Sequence, residues 1–540
     1  MLELKIFSSL SKIFPDMEPD PAEEIDSGCA LTGERYSFQV AAKSLNHSQS
    51  CAWVKIESDL GEAVSVRYVD YVPCDHTLPK EYQHLCQHPA PGLMPDILKP
   101  LPPYLWVYDY SFRTLWITVD TAHALATPGK HTVKVILSDD TENAAEFTLE
   151  ILAAKLPEYQ IPVTNWFHCD CLCNYYHVAF ASDRFWEIAA AFMKTAVDNG
   201  INTLLTPIFT PPLDTAVGGE RLTTQLVTVL ANPDGTYSFD FSLLDRWISE
   251  CRKAGAKYFE ISHLYTQWGC AHAPKVMGYK NGEYTRLFGW ETEGPGEEYS
   301  AFLRALLPEL TGHLKELGVF DRCFFHVSDE PAYSMAETYG KGSKLVREFV
   351  PGSQIIDAMS EPKYWKDGMI DVPVASLSAI DRFIDAKIDD LWGYYCCGQL
   401  DTSNRFVSTP SYRNRVLGIQ LFMNDIKGFL QWGFNFYNYH MSAAALDPYS
   451  SCTGGGWVPG GDPYVVYPGP DGKPVESIRL VVFYEALCDM RVLSALEEKG
   501  YTREQLKAEL GIPDLPFIGF ETDAKTLLRI REKANRMIQL

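Results

Sequence analysis

Asp329 and Glu330 stand side by side at the end of the apolar run CFFHVSDEP, Cys323 to Pro331. Two neighbouring carboxylates repel each other, and burial raises the cost of ionising either one. A polar surface stretch tolerates such a pair, but this pair closes an apolar segment and is followed by Pro331, which points to a site. The chemistry it suggests is acid–base work on a glycosidic bond. Retaining glycosidases commonly set a nucleophilic carboxylate about 5–5.5 Å from the acid, across the scissile bond. Sequence neighbours rarely supply that opposed geometry. They suit a reaction in which the substrate's own 2-acetamido oxygen attacks the anomeric carbon, one carboxylate steadying the acetamido nitrogen while the other protonates the leaving oxygen. Successive side chains on an extended strand face opposite ways, so the two carboxylates are expected to have different roles unless the strand end is twisted.

Further candidates gather at the ends of strand-like runs. Trp268, Trp290, Trp392 and Trp432 fall where a ring can floor or wall a sugar pocket. Tyr394 and Tyr395 straddle opposite faces of one run, so at most one of them points inward. Tyr395 is taken as the catalytic phenol that donates to an acetamido carbonyl and Tyr394 as a sugar contact, with the choice of inward face open. Asn165, His168, His263, Asn435 and Asn438 are candidate hydroxyl ligands. Asp462, in GGDPYVVYPG, sits in a Gly/Pro-rich loop that can bring a carboxylate over a pocket. The cysteines of HCDCLCNYYH lack a second CxxC or HxxxH element, so no metal site is expected. No GxGxxG or GxxxxGK[ST] element lies between a strand and a helix, and no cofactor is expected.

The elements that must position these residues follow from periodicity. From about Cys29 to Ala153, short β-rich runs such as YSFQVAAKSL, CAWVKIES and TLWITVD alternate with polar turns, the pattern of a β-sandwich. After the linker LPEYQIP, strand candidates at 164–170, 201–207, 258–264, 323–330, 354–359, 372–378, 391–396 and 428–437 alternate with helical patterns. Eight strand–helix repeats predict an α/β fold, a (β/α)₈ barrel of the TIM type. The expected organisation is a sandwich over 1–155, a catalytic barrel over 156–500 and a helical C-terminal extension over 501–540. Long insertions after strands two, three and eight would rise over the C-terminal face, where barrel enzymes keep their sites.

A formal charge of -23 repels phosphates and anionic lipid, so neither nucleic acid nor membrane is an expected partner. Twelve Trp and 29 Tyr favour neutral, sugar-like substrates. The first residues, with acidic Glu3, do not read as a signal peptide, no run approaches a membrane span, and the fourteen cysteines read as reduced thiols. The expected location is cytoplasmic. Oligomeric state is left open, a homo-oligomer included.

The segments HVSDEP, YFEISHLYTQWGCAHAPKV, WGYYCCGQ and GGDPYVVYPGPDGKPVESIRLVVFYEALCDMRVL, in this order, resemble glycoside hydrolase family 123 and the related domain-of-unknown-function family 4091. The similarity spans the barrel, and the β-sandwich ahead of it also matches the family's layout. It implies a retaining exo-β-N-acetylgalactosaminidase that hydrolyses terminal β-linked GalNAc through the acetamido group, with Asp329 polarising that group and Glu330 as general acid/base. Two alternatives stand beside it: a β-N-acetylglucosaminidase or broader β-hexosaminidase of the same mechanism, and a carbohydrate-binding barrel without turnover.

Overall fold

The computed structural model describes residues 1–45, 49–159, 161–350 and 354–540. Its N-terminal part is two five-stranded sheets. One runs Leu2–Ser8, Arg35–Ser44, Arg113–Asp120, Val64–Cys74 and Gly92–Pro100 in spatial order. The other runs Ser27–Thr32, Glu142–Lys155, Gly129–Ser138, Ser50–Glu57 and Leu105–Val107. Alternation turns Val40, Leu115 and Ile117 of the first sheet toward Val133, Val135 and Leu149 of the second, and these residues form one buried core. The sequence pattern starts the strands near Cys29, whereas the first strand is LELKIFS, Leu2–Ser8, paired antiparallel with Arg35–Ser44.

The barrel strands are β1 (Val163–Asn165), β2 (Thr203–Thr206), β3 (Tyr258–Ile261), β4 (Cys323–Phe325), β5 (Ile356–Met359), β6 (Val372–Ser376), β7 (Trp392–Tyr394) and β8 (Gly428–Gln431). They pair in parallel in the order β4-β3-β2-β1-β8-β7-β6-β5, and a parallel bridge from Phe325 to Ile355 nearly closes the ring. Trp166, Leu205, Ile356, Val374, Trp392, Tyr394 and Leu430 fill the interior. Phe259, Ile261, Phe325 and Phe429 belong to the outer core, which also holds the apolar faces of the surrounding helices. All eight expected strands are present, but several are shorter than their apolar runs. β4 ends at Phe325 rather than Glu330, β1 gives way to helix α1 (Cys169–Tyr176), and β8 ends at Gln431. The extra apolar residues are buried beneath loops instead of paired in the sheet, which a hydrophobic run alone does not distinguish.

Helix α2 (Ile478–Glu498) follows the last barrel insertion and is buried on nearly all sides. It packs on the helix Leu417–Met423, the C-terminal helix Ala524–Gln539 and the sandwich strand Gly92–Pro100. Near its start Arg479 meets fully buried Asp96 of the sandwich in a two-pronged pair, Nε–Oδ1 2.9 Å and Nη2–Oδ2 2.7 Å. Tyr467 donates to the same carboxylate at 2.6 Å. The loop 451–461 is tied to the sandwich as well: Gly460 N donates to His76 O at 2.9 Å and Thr453 Oγ1 to Asp75 Oδ1 at 2.6 Å.

Removing one partner of a buried pair leaves a charge uncompensated. Asp96→Ala should therefore lower the unfolding free energy by about 3–5 kcal/mol, read by chemical denaturation with tryptophan fluorescence. A loss below about 1 kcal/mol would rank the pair with exposed ones and refute its role as the clasp between sandwich and barrel.

Candidate active site

Beyond β4 the chain leaves the sheet and is stitched to its neighbours residue by residue. The backbone N–H groups of Val327 and Ser328 both donate to Asp357 Oδ2, at 3.2 and 3.3 Å. The Ser328 hydroxyl donates to Thr266 O at 2.8 Å and accepts from Gly269 N at 3.1 Å. Trp268 N donates to Asp329 O at 2.7 Å, and Glu330 N to Ala358 O at 3.1 Å. Glu330 takes φ +41°, a left-handed conformation that costs a non-glycine residue roughly 1–2 kcal/mol. The turn breaks strand alternation, so Asp329 and Glu330 both line one cavity.

That cavity measures about 230 Å³. It is smaller than the roughly 300–1,000 Å³ of drug-sized sites, which suits a single sugar ring. A larger cavity of about 280 Å³ lies between the sandwich and the C-terminal helix, but charges in its wall such as Arg415, Glu485, Arg531 and Glu34 are already paired. The smaller one holds carboxylates with free oxygens. Trp166, Trp268, Trp432 and Trp457 contribute rings to its wall.

Beneath the pair sits His326, whose Nε2 lies 2.5 Å from Glu260 of β3 and whose Nδ1 lies 2.9 Å from Asp357 of β5. Burial opposes its charge, yet the hydrogen bonds and charges of Asp357 and Glu260 raise its pKa to about 10, so the ring is an imidazolium. Glu260 also accepts from Thr164 and from Trp166 Nε1, and Asp357 from Tyr339 at 2.6 Å. Burial and the charge of Glu330 push Asp329 well above the usual carboxylate range, with His326 opposing. Burial raises Glu330, and the hydroxyl of Tyr394, which donates to its Oε1, counters that rise. Both shifts run toward the protonated form, and the two carboxyls titrate as a coupled pair.

Of the candidates read from sequence, Asp329, Glu330, Tyr394, Trp268 and Trp432 line the cavity. Tyr395 does not. It packs on Phe429 outside the barrel, with its hydroxyl 3.4 Å from Asn414 Oδ1, so the inward phenol is Tyr394. Asp462 is fully buried behind the wall, accepting from Trp432 Nε1 at 2.8 Å, and thus orients that ring rather than meeting the cavity. Trp392 lies within the barrel against Phe324, and Trp290 donates to Gly219 O at another recess. His168 bridges Arg221 and Trp432 O, and burial beside Arg221 drives its pKa down to about 4. Asn435 clamps the backbone of His168 at 2.8 and 3.0 Å, and Asn438 donates to Cys171 Sγ. Asn165 is buried off the cavity. His263 stacks on His326 at 4.1 Å, and burial keeps it neutral. His263, His326 and Asp357 have metal-ligand spacing, but both nitrogens of His326 are engaged by carboxylates and leave no lone pair for an ion.

The sequence reading missed Asp214, which follows β2 in the segment IFTPPLDT. It lines the cavity, its Oδ2 is buried without a hydrogen-bond partner, and burial raises its pKa to about 6. Its backbone, at φ +41°, is held by Gln267 Oε1, which accepts from its N–H at 2.6 Å, and by the Ser442 hydroxyl, which donates to its carbonyl at 2.7 Å. Nothing periodic marks that loop; the one hint is an acid alone in an apolar stretch.

The clamp around His326 has a consequence for stability. A group whose folded pKa of about 10 exceeds its unfolded value near 6.5 stabilises the fold fully below pH ~6.5, and this contribution is lost as pH rises toward 10. Unfolding free energies between pH 6.5 and 10 should fall for the wild type and fall less steeply for His326→Gln. Parallel curves would show that the ring is not charged in the fold.

The sequence from 166 to 496 matches the model of the family described as glycoside hydrolase 123, catalytic domain. Among solved structures, a family 123 glycoside hydrolase from Clostridium perfringens, described in connection with glycolipid glycan hydrolysis, superposes with a TM-score of 0.75 at 14% identity, covering 99% of this chain and 97% of its own. A family 5 xyloglucanase from Bacteroides ovatus scores 0.29 at 8% identity, covering 90% of this chain and 100% of its own, too remote to bear on this fold. No curated relative matches the chain. The matched segment contains the whole cavity wall, from Trp166 to Trp457, and the chain belongs to glycoside hydrolase family 123.

Proposed function

We propose that this glycoside hydrolase is a retaining exo-β-N-acetylgalactosaminidase that uses the 2-acetamido group of its substrate as nucleophile. The observation that carries the reading is the left-handed turn at Glu330, which brings two adjacent carboxylates to one small, ring-walled cavity. In this mechanism Asp329 accepts from the acetamido N–H and aims the carbonyl oxygen at the anomeric carbon. Protonated Glu330 gives its proton to the departing glycosidic oxygen. The acetamido oxygen closes on the anomeric carbon as the glycosidic bond breaks, giving an oxazolinium whose positive charge Asp329 balances. Glu330, now a carboxylate, takes a proton from the water that opens this ring, and the configuration is retained. The imidazolium of His326 favours the charged form of Asp329, and Tyr394 steadies Glu330. The preference for GalNAc rests on the resemblance to family 123, whose solved member from Clostridium perfringens is described as acting on glycolipid glycans.

Asp214 supports a second reading, because a free carboxylate in the same cavity is also a candidate nucleophile for an ordinary double displacement. A 2-hydroxy β-galactoside separates the two. Under substrate assistance it should not turn over, and Asp329→Asn should weaken catalysis and the binding of a GalNAc-thiazoline together. Ready hydrolysis of the 2-hydroxy sugar, or covalent labelling of Asp214 by a 2-fluoroglycoside, would replace the proposal with the ordinary mechanism.

If Asp214 instead binds sugar hydroxyls, Asp214→Asn should lower kcat/KM by roughly 10- to 10²-fold, since a charged acceptor is lost from a buried hydrogen bond of about 1.5–3 kcal/mol. Substrate deoxygenated at the contacted hydroxyl should show little further loss in that variant. Restoration of its activity by azide, with a glycosyl azide as product, would identify a nucleophile and reject the hydroxyl-binding role.

A further inference from the structure

Two thiols in the catalytic wall take no part in that chemistry. Cys396 and Cys397 follow β7 after Tyr395, and both line the cavity that holds Asp329 and Glu330. Both are reduced and half-buried, and they are consecutive in the chain. The segment is fixed: Cys396 N donates to Gln399 Oε1 at 2.7 Å, and its carbonyl accepts from Asn404 Nδ2 at 3.0 Å. The neighbouring Cys397 thiol and burial push the Cys396 thiol well above the ordinary thiol range, and the charge of Glu330, which lines the same cavity, adds to the effect.

The other thiols lack this combination. Cys74 and Cys452 also lie close together, both against Gly460, but both are buried at the contact between sandwich and barrel. Cys169, Cys171 and Cys173 are buried, and half-exposed Cys51 and Cys86 lie on separate elements. Among the described residues, Cys396–Cys397 is thus the pair of consecutive thiols that a solute entering this cavity meets.

We propose that Cys396 and Cys397 form a bidentate thiol site in the wall of the catalytic cavity, one that captures soft trivalent electrophiles of the arsenous type, R–As=O, and thereby closes the cavity to sugar. Both S–H protons pass to the oxo group, two As–S bonds form, and the oxygen leaves as water. Arsenic stays trivalent and no electrons are transferred. The second bond is intramolecular, and its effective concentration gives the pair an affinity about 10²–10⁴-fold above that of a single thiol. The binding claim rests on the cavity geometry alone, while the blocking claim also rests on the proposed glycosidase activity.

The test adds phenylarsine oxide to the full-length protein and reads intact mass, free-thiol count and hydrolysis of an aryl N-acetyl-β-galactosaminide. One arsenical per chain should bind with loss of two titratable thiols, and 2,3-dimercaptopropanol should remove it where an equivalent monothiol does not. Cys396→Ser and Cys397→Ser, with unchanged melting temperatures, should each bind at least about 10²-fold more weakly, while Cys74→Ser binds like wild type. Cys397→Ala supplies the measurement if a serine variant fails to fold. Hydrolysis should fall in proportion to the adduct, relative to the untreated rate of each protein. Full binding in both Cys396→Ser and Cys397→Ser, or an adduct mapped to Cys74 and Cys452, overturns the site. A complete adduct with unchanged hydrolysis overturns the blocking. If untreated protein hydrolyses no glycoside, the glycosidase reading fails, and the mass and thiol counts still decide the site.

Discussion

A protonated imidazole held between two carboxylates is the constraint on which the candidate site depends. Glu260 and Asp357 come from β3 and β5, the strands flanking β4, and His326 ties both to the chain just before the Asp329–Glu330 pair. β4 has only three paired residues, so its neighbours hold residues 326–330 through side chains as well as through single backbone hydrogen bonds outside the sheet. Asp357 does this twice over, accepting from His326 and from the backbone of Val327 and Ser328. Two buried anions around one buried cation leave a net negative charge, which is tolerable because Thr164, Trp166 and Tyr339 also donate to those oxygens. The strained turn at Glu330 is a product of this bracing: a left-handed glutamate persists where the surrounding structure over-determines it.

Much of the architecture was legible because a parallel barrel buries both faces of each strand and writes it as a continuous apolar run. Strand ends were less legible, since the same run can continue into a buried loop, as it does from Phe325 to Ser328. The acidic pair stood out by composition, but its shared orientation comes from a single dihedral angle that residue types do not encode. The choice between Tyr394 and Tyr395 likewise depends on register. Gly428 of β8 stands beside Trp392 of β7, and a Cβ there would come within 2.1 Å of the indole, so the indole fills the space a side chain would need. Trp392 then lies inside the barrel, and alternation carries Tyr394 inside with it.

The candidates that lie off the cavity share a physical character. Asp462, His168 and Asn435 are polar side chains near strand ends, as substrate ligands would be, yet they satisfy the backbone and rings of the loops that build the wall. Buried loops carry unpaired backbone groups that require such partners, so a polar residue at the C-terminal face of a barrel has two competing uses. Asp214 differs because its Oδ2 has no partner, a property visible only in three dimensions.

The loop 451–461 brings Trp457 to the cavity while its hydrogen bonds run to His76 and Asp75 of the sandwich. One wall of the pocket is therefore braced from outside the barrel, by a part of the chain distant in sequence. Modularity fails here: a fragment cut to the bounds of the family match would lose the scaffold of its own binding site. Grafting the barrel onto another partner, or shuffling the sandwich among relatives, would have to carry this seam along. Across homologues, changes in the sandwich's 73–76 segment and in the Trp457 loop should be correlated even though no residue of that segment lines the cavity.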